Sequence, residues 1–284
     1  MSMLHSNGSA RVLADLAVTV TGAAGAIGGA ITSLMAAGGA RVLAIDVNGP
    51  AIRRLTADIV AAGGSVEALE ADMSREEEVR LAARHIETSL GHLDIVINCA
   101  GILRLGSLIE TELDAWQRVF RTNVESAFLV TRECLKIMLA QPVHPRMGCR
   151  GKIINLSSGA AELGRPFLPA YGASKAALNH LSMSTASGYG RELICTTVVY
   201  PGNVEEGMWR DLAPQLARVE GRREDDVLRE RWFQSPAQVA EMVLYVAVSE
   251  GMDLNGQVVH SYPWVAPLHR AENGVRWRAM RPAE

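Results

Sequence analysis

Short apolar runs alternate with longer amphipathic stretches along most of this chain. The apolar runs are nearly continuous in valine, isoleucine, leucine and alanine, which is typical of strands buried on both faces of a parallel sheet. Seven strands are predicted, at residues 16–21, 41–46, 65–70, 93–98, 152–156, 194–200 and 257–260. Because strands that alternate with helices favour βαβ units, we predict an α/β fold with one doubly wound, parallel, seven-stranded sheet and helices on both faces.

Residues 12–260 are predicted to form one domain, because no stretch within them has the composition of a linker and no repeat is visible. Residues 1–11 are a polar leader, and residues 261–284 are a tail that carries arginine and tryptophan. Residues 205–234 are charged and helix-prone and follow the sixth strand. They are predicted to form a substrate lid at the carboxyl ends of the strands, and the alternative is a solvated surface excursion.

Two helix starts are marked by the spacing of a capping box. Ser74 stands three residues before Glu77, and Ser235 stands three residues before Gln238. In this arrangement the serine accepts a backbone N–H and the longer side chain reaches back to the serine N–H. The second box also has proline at the first helical position, which favours a helix start.

Composition excludes several classes of function. The net charge is −3 over 284 residues and no lysine- or arginine-rich run is present, so no nucleic-acid partner is expected. No run of about 18 apolar residues indicates a membrane span. The leader does not resemble a signal peptide, and the four cysteines lack the spacing of metal ligands or of a disulfide framework. We therefore expect a cytoplasmic protein with no metal.

A glycine-rich turn follows the first predicted strand and opens the first helix. It contains Gly22, Gly25, Ala26 and Gly28. Small residues let the backbone approach a pyrophosphate, which binds at a helix N-terminus, so this Rossmann-type turn predicts a dinucleotide site. Asp46 ends the second strand, where a carboxylate accepts hydrogen bonds from ribose hydroxyls and repels a 2′-phosphate; NAD is favoured over NADP, unless Asp46 only caps a turn.

Tyr171 and Lys175 are one helical turn apart in the stretch Tyr-Gly-Ala-Ser-Lys. Residues at this spacing share a helix face, and a nearby cation favours the phenolate. We therefore predict that Lys175 lowers the pKa of Tyr171 from its ordinary value of about 10. That would make Tyr171 a proton donor and acceptor near neutral pH.

Together these motifs resemble the short-chain dehydrogenase/reductase family over residues 12–260. The family's glycine loop is matched by residues 21–28, its Asn-Asn-Ala-Gly segment by residues 98–101, and its Pro-Gly after the sixth strand by Pro201 and Gly202. The active-site asparagine matches Asn123, the active-site serine matches Ser158, and Tyr171 and Lys175 follow at the family's spacing.

The resemblance implies a role for each of these residues. Tyr171 would exchange a proton with the substrate oxygen, Ser158 would polarise that oxygen, and Lys175 would bind the nicotinamide ribose. Asn123 would hold a water that links Lys175 to solvent. The expected cofactor contacts are Gly22, Gly25, Ala26, Ile27, Gly28, Asp46, Asp72, Met73, Asn98, Ala100, Gly101, Tyr171, Lys175, Pro201, Gly202 and Val204. Asp72 either contacts the adenine or caps a turn, and a homodimer or homotetramer is expected.

The sequence departs from the family pattern at three places. Cys99 replaces the second asparagine and is predicted to be a small buried filler. Glu206 stands where the family commonly has a threonine that meets the nicotinamide carboxamide. The usual Asp-Gly-Gly after the last strand is absent.

Residues 101–104 resemble the corresponding segment of dihydrodihydroxybenzoate dehydrogenases, and residues 201–227 resemble sugar-alcohol dehydrogenases. These resemblances imply a secondary alcohol or ketone as substrate, with a polyol, sugar alcohol or cyclic diol as the first hypothesis. Candidate substrate contacts are Ser158, Arg104, Met208 and Trp209, where Arg104 would bind a carboxylate or phosphate unless it is a surface arginine. One alternative is a ketoreductase of secondary metabolism or of lipid-like or steroid ketones. Another, of a different class, is an NAD-binding regulator without turnover.

Overall fold

The computed structural model describes residues 11–204, 206–229 and 233–261. Its main sheet contains β1 (Ala17–Thr21), β2 (Arg41–Asp46), β3 (Ser65–Glu70), β4 (Ile95–Asn98), β5 (Gly151–Leu156), β6 (Ile194–Tyr200) and β9 (Val258–His260). The order across the sheet is β3-β2-β1-β4-β5-β6-β9, and every pairing is parallel. The predicted fold class and all seven predicted strands are confirmed, with ends that differ by at most two residues.

Burial varies across the sheet. The central strands β1, β4, β5 and β6 are buried at every residue. The edge strand β3 is different, since its residues are exposed or only partly buried. The expectation of burial on both faces is therefore wrong for β3, because an edge strand is covered by fewer neighbouring elements.

Helices cover the two faces of the sheet and the carboxyl ends of its strands. They are α1 (Ala26–Ala37), α2 (Gly49–Ala61), α3 (Glu76–His85), α4 (Leu113–Phe120), α5 (Ser126–Ala140), α6 (Pro169–Tyr189), α7 (Met208–Glu220), α8 (Glu224–Arg229) and α9 (Pro236–Val248). A π-helical turn, Arg121–Glu125, joins α4 to α5. Such turns are often found at functional sites.

The two capping predictions have opposite outcomes. At α9, Ser235 Oγ accepts the Gln238 N–H at 3.3 Å and Gln238 Oε1 accepts the Ser235 N–H at 2.9 Å, so this capping box is confirmed. At α3 the box is wrong: the helix begins after Arg75 without a side-chain cap. Ser74 instead donates to Asp72 Oδ1 at 2.7 Å, because the aspartate turn before it competes for the serine.

After β6 the chain forms a short strand β7 (Asn203–Val204), continues through α7 and α8, and returns as β8 (Phe233–Gln234). The two strands pair in parallel, so both ends of the predicted lid are held beside the end of β6. Among the described residues, no helix combines the length and apolar character needed to cross a membrane. The leader up to residue 10 and the tail from residue 262 lie outside the described residues.

Candidate active site

A cavity of about 1600 Å³ opens at the carboxyl ends of the strands. It lies where the strand order reverses, between β1 and β4, which is where open α/β sheets bind their ligands. The volume exceeds the upper range of roughly 1,000 Å³ for a drug-sized ligand. It therefore has room for a dinucleotide and a second molecule.

The glycine turn forms one wall of this cavity. Gly22 has a φ of +66°, and a Cβ there would lie 2.7 Å from the Ala100 Cα. A Cβ on Gly28 would lie 2.1 Å from the Gly22 carbonyl oxygen. The chain therefore needs glycine at both positions to bring β1, the turn and β4 together.

The start of α1 is suited to an anion. Its N-cap is Gly25, which provides no side-chain cap, and its first turn contains no acidic residue. The helix N–H groups and the positive end of the helix dipole are thus available to a pyrophosphate. Gly25, Ala26, Ile27 and Gly28 all line the cavity, so these residues fit a dinucleotide.

A pyrophosphate at the start of α1 would place the adenosine at the end of the cavity where Asp46 lies. Its Oδ2 accepts the Ala24 N–H at 3.0 Å and its Oδ1 accepts the Asn48 N–H at 2.8 Å. The carboxylate therefore holds the glycine turn and also lines the cavity. Asp72 lines the same end, yet its Oδ1 accepts from both the N–H and the hydroxyl of Ser74, so the turn-capping alternative describes its contacts.

The end of β4 joins the glycine turn through Thr21, whose Oγ1 accepts the Cys99 N–H at 3.2 Å and the Ala100 N–H at 3.3 Å. Burial raises the pKa of the Cys99 thiol to about 12 although Lys175 opposes the shift, so Cys99 is not poised as a nucleophile. Asn98 points elsewhere: its Nδ2 donates to Asn155 Oδ1 at 2.8 Å and to Thr131 Oγ1 at 3.2 Å. It holds β4, β5 and α5 together and does not line the cavity.

Ser158, Tyr171 and Lys175 meet on the opposite wall. Ser158 follows β5 and caps a short 3₁₀ turn, Gly159–Ala161, by accepting the Ala160 N–H at 3.2 Å. Tyr171 and Lys175 lie in the first two turns of α6, which begins at Pro169. The Lys175 Nζ is 5.8 Å from the centre of the Tyr171 ring and donates to the Leu156 carbonyl at 2.8 Å.

The electrostatics of this pair differ from the prediction. Burial raises the pKa of Tyr171 above its ordinary value, although a hydrogen bond with the Ser158 side chain opposes the shift. Burial also lowers the pKa of Lys175 to about 8, because the ammonium is removed from water. The prediction of a lowered tyrosine pKa is therefore wrong for this structure, since burial of the phenol raises its pKa.

Asn123 lies in the π-helical turn and is 1 % exposed. Its Oδ1 accepts the Ile102 N–H at 2.8 Å, and its Nδ2 donates to the Ile102 carbonyl at 3.0 Å and to Ser174 Oγ at 2.9 Å. The side chain thus fastens the loop after β4 to α6 one residue before Lys175. Both amide hydrogens of Asn123 thus have protein partners. The predicted role of holding a water stays a prediction.

The segments after β6 complete the cavity on the nicotinamide side. The lining residues on this side are Pro201, Gly202, Val204 and Glu206. Elsewhere the cavity is lined by Met73 and Gly101. Met208 lines it from the start of α7. The side chain of Trp209 lies outside what the structure describes.

The far end of the cavity is apolar, and sequence reasoning missed most of it. Leu103, Leu105, Phe167, Leu168, Leu212 and Leu216 line this end. The Gly106 N–H donates to the Phe167 carbonyl at 3.1 Å, which joins the loop after β4 to residues 165–168. The sequence did contain a signal for this part of the lining. Residues 159–168 lie between Ser158 and Tyr171 and must therefore stay near both. Arg104 does not line this end: it is exposed and its Nη1 donates to the Leu103 carbonyl at 3.1 Å.

Comparison with known proteins agrees with this geometry. Residues 16–217 match the model of the family described as short chain dehydrogenase. The chain therefore belongs to the short-chain dehydrogenase family, whose members are oxidoreductases that act on alcohols or ketones and bind NAD or NADP.

Three relatives illustrate the match. A short chain dehydrogenase of Pseudocercospora fijiensis is 33% identical over 188 residues, which are 66% of this chain but only 59% of that protein. The 3beta-hydroxysteroid dehydrogenase of Mediterraneibacter gnavus is 29% identical over 263 residues, 85% of this chain and 91% of that protein. A crystal structure of a dehydrogenase/reductase from Sinorhizobium meliloti superposes with a TM-score of 0.74 at 27% identity, covering 89% and 95% of the two chains.

Proposed function

We propose that this protein is an NAD-dependent oxidoreductase that interconverts an apolar ketone and its secondary alcohol, with Tyr171 as acid and base. The observation that carries the proposal is the meeting of Ser158, Tyr171 and Lys175 on one wall of a cavity whose other wall is the glycine turn. A homodimer or homotetramer and a cytoplasmic location remain part of the proposal, on the strength of the family resemblance alone.

The residues divide the chemistry among them. When bound, the nicotinamide cofactor would take up the hydride as NAD⁺ during oxidation or supply it as NADH during reduction. Ser158 donates a hydrogen bond to the substrate oxygen, and Tyr171 gives that oxygen a proton during reduction or takes it during oxidation. Burial raises the pKa of Tyr171, so the phenol, and not the phenolate, is the form that would give its proton to a ketone. Lys175, within 5.8 Å of the phenol ring, offsets the negative charge that Tyr171 acquires when it gives up its proton.

The preference for NAD rests on Asp46. Its carboxylate lines the adenosine end, and the described residues around it there are Val47, Asn48, Asp72, Met73 and Ser74, none of them basic. Arg53, the next arginine along α2, is paired with Glu70 at 2.8 Å. Arg54, the other arginine of α2, does not line the cavity, so among the described lining residues at this end a 2′-phosphate would meet negative charge without a cation to balance it.

Replacing Asp46 by asparagine is expected to lower the ratio of kcat/KM with NAD to kcat/KM with NADP by about tenfold. The amide oxygen can still accept one of the two N–H groups that Asp46 holds, while the charge is removed. Steady-state kinetics with both nucleotides measure the effect, and thermal unfolding shows whether the turn is intact. A wild-type enzyme that prefers NADP would contradict the argument.

The cavity lining favours an apolar substrate over the polyol, sugar alcohol or diol of the first hypothesis. Each hydroxyl of a polyol needs a hydrogen-bonding partner, since an unpaired polar group is costly to bury. Apart from Arg165 at the rim, the described side chains named at the far end are leucines and a phenylalanine, with Met208 at the start of α7. The name of the steroid dehydrogenase relative, 29% identical, points in the same direction.

A substrate panel tests this proposal. With NADH, kcat/KM for methyl hexyl ketone or a ketosteroid is expected to exceed that for fructose by about a hundredfold, because several methylene groups are buried. The decrease in nicotinamide absorbance gives the rate. Faster turnover of fructose or of a cyclic diol would favour the polyol hypothesis, and no turnover of any alcohol or ketone would argue for the regulator.

A further inference from the structure

One charged side chain on the apolar wall has no assigned role. Arg165 lies on the segment between Ser158 and Tyr171 and lines the cavity beside Phe167 and Leu168. The Leu168 N–H donates to the Arg165 carbonyl at 3.0 Å, so residues 165–168 form a tight turn at the start of α6. The turn is held against the loop after β4 by the bond from Gly106 to Phe167. The Arg165 backbone is therefore fixed at the rim of the substrate end.

The charges that line the cavity have different surroundings. Asp46 and Asp72 hold backbone N–H groups at the adenosine end, and Glu206 is exposed in the segment after β7. Lys175 is buried against the Leu156 carbonyl. Within residues 11–204, 206–229 and 233–261, the Arg165 guanidinium makes no hydrogen bond or ion pair. It is exposed to the solvent at the cavity mouth and keeps all its donors for a ligand.

We propose that Arg165 selects substrates that carry an anionic group, a carboxylate, sulfonate or phosphate, at the end remote from the reacting carbon. This inference rests on the proposed ketone chemistry. An apolar wall would hold the body of such a molecule, and a guanidinium binds two oxygens of an anion at once. Arg104, which the sequence singled out for this role, lies outside the cavity lining with its guanidinium on the Leu103 carbonyl.

Matched pairs of neutral and anionic ketones test the inference. We expect the wild-type enzyme to prefer 9-oxodecanoate, whose carboxylate is remote from its ketone, to the methyl ester of the same acid by about tenfold in kcat/KM, the size of one charge-assisted hydrogen bond. Arg165→Gln should remove this preference and leave the rate with the ester unchanged. Added salt should weaken the wild-type preference, because the site is at the surface.

Arg104→Gln is the matched control, since it removes the same charge from the neighbouring loop outside the cavity. It should retain the wild-type preference. An equal loss in both variants, or no preference in the wild type, would overturn the inference. So would a rise in the KM for NADH of Arg165→Gln with every substrate, because Arg165 would then contact the cofactor.

A binding experiment separates this inference from the proposed function. Decanoate and its primary amide are titrated calorimetrically into the protein saturated with NAD. Tighter binding of decanoate that disappears in Arg165→Gln supports the anion site even if no ketone is reduced, in which case only the proposed function fails. Equal binding of the two ligands to the wild-type protein overturns the anion site whether or not ketones are reduced.

Discussion

Replacing Tyr171 by phenylalanine is expected to lower kcat by about a thousandfold while the affinity for NAD stays within a factor of about two. The substitution removes only the hydroxyl, so the ring keeps its place on α6 and beside Lys175. The substitution removes a hydroxyl that hydrogen-bonds with the Ser158 side chain and lines the cavity. Steady-state kinetics and calorimetric titration with NAD measure the two quantities.

Tyr189 provides the matched control for this variant. It is the last residue of the same helix and is 37% exposed, so Tyr189→Phe removes an equivalent hydroxyl far from the cavity. That variant should keep its kcat. If Tyr171→Phe also kept its kcat, Tyr171 could not be the acid and base, and the regulator without turnover would become the better hypothesis.

The sheet was predictable because each strand carries its own pattern. The run at residues 194–200 is rich in β-branched residues and has no charged residue, and the observed β6 covers the same residues. The exposure of β3 agrees both with its place at the edge of the sheet and with its composition, because Ser65, Glu67 and Glu70 interrupt its apolar run. The capping box at Ser74 failed for a local reason, since Asp72 competes for the same serine.

The site was predictable wherever the chemistry is local in sequence. Gly22, Gly25 and Gly28 belong to one turn, and Tyr171 and Lys175 to one helix face. The pKa directions were not predictable, because they depend on burial produced by the whole fold.

Contacts made by distant segments were also missed. The apolar wall combines the loop after β4, residues 165–168 and α7, and no single stretch of sequence reveals that they meet. For the same reason the sequence selected Arg104, whereas Arg165 is the arginine that lines the cavity.

The second large effect is expected at the glycine turn. Gly22→Ala should lower the free energy of unfolding by about 3 kcal/mol and weaken NAD binding by more than about tenfold. Two costs combine: alanine disfavours the φ of +66°, and its Cβ would lie 2.7 Å from the Ala100 Cα. Relief of that contact must separate the turn from β4, which displaces the start of α1. Denaturant unfolding and calorimetry measure the two losses.

Two further variants separate these costs. Gly63 has a φ of +86° with nothing within 4 Å of an added Cβ, and it precedes β3 at the amino end of that strand, whereas the cavity lies at the carboxyl ends. Gly63→Ala should therefore lower the free energy of unfolding only by the conformational cost, about 1 kcal/mol, and leave the NAD affinity unchanged. Gly28→Ala introduces a contact of 2.1 Å with the Gly22 carbonyl oxygen without a positive φ, and it should weaken NAD binding as Gly22→Ala does. Equal losses of stability in Gly22→Ala and Gly63→Ala would mean that the close approach of Gly22 to β4 contributes nothing to stability. The role given to Gly22 in bringing the turn to the cofactor would then have to be abandoned.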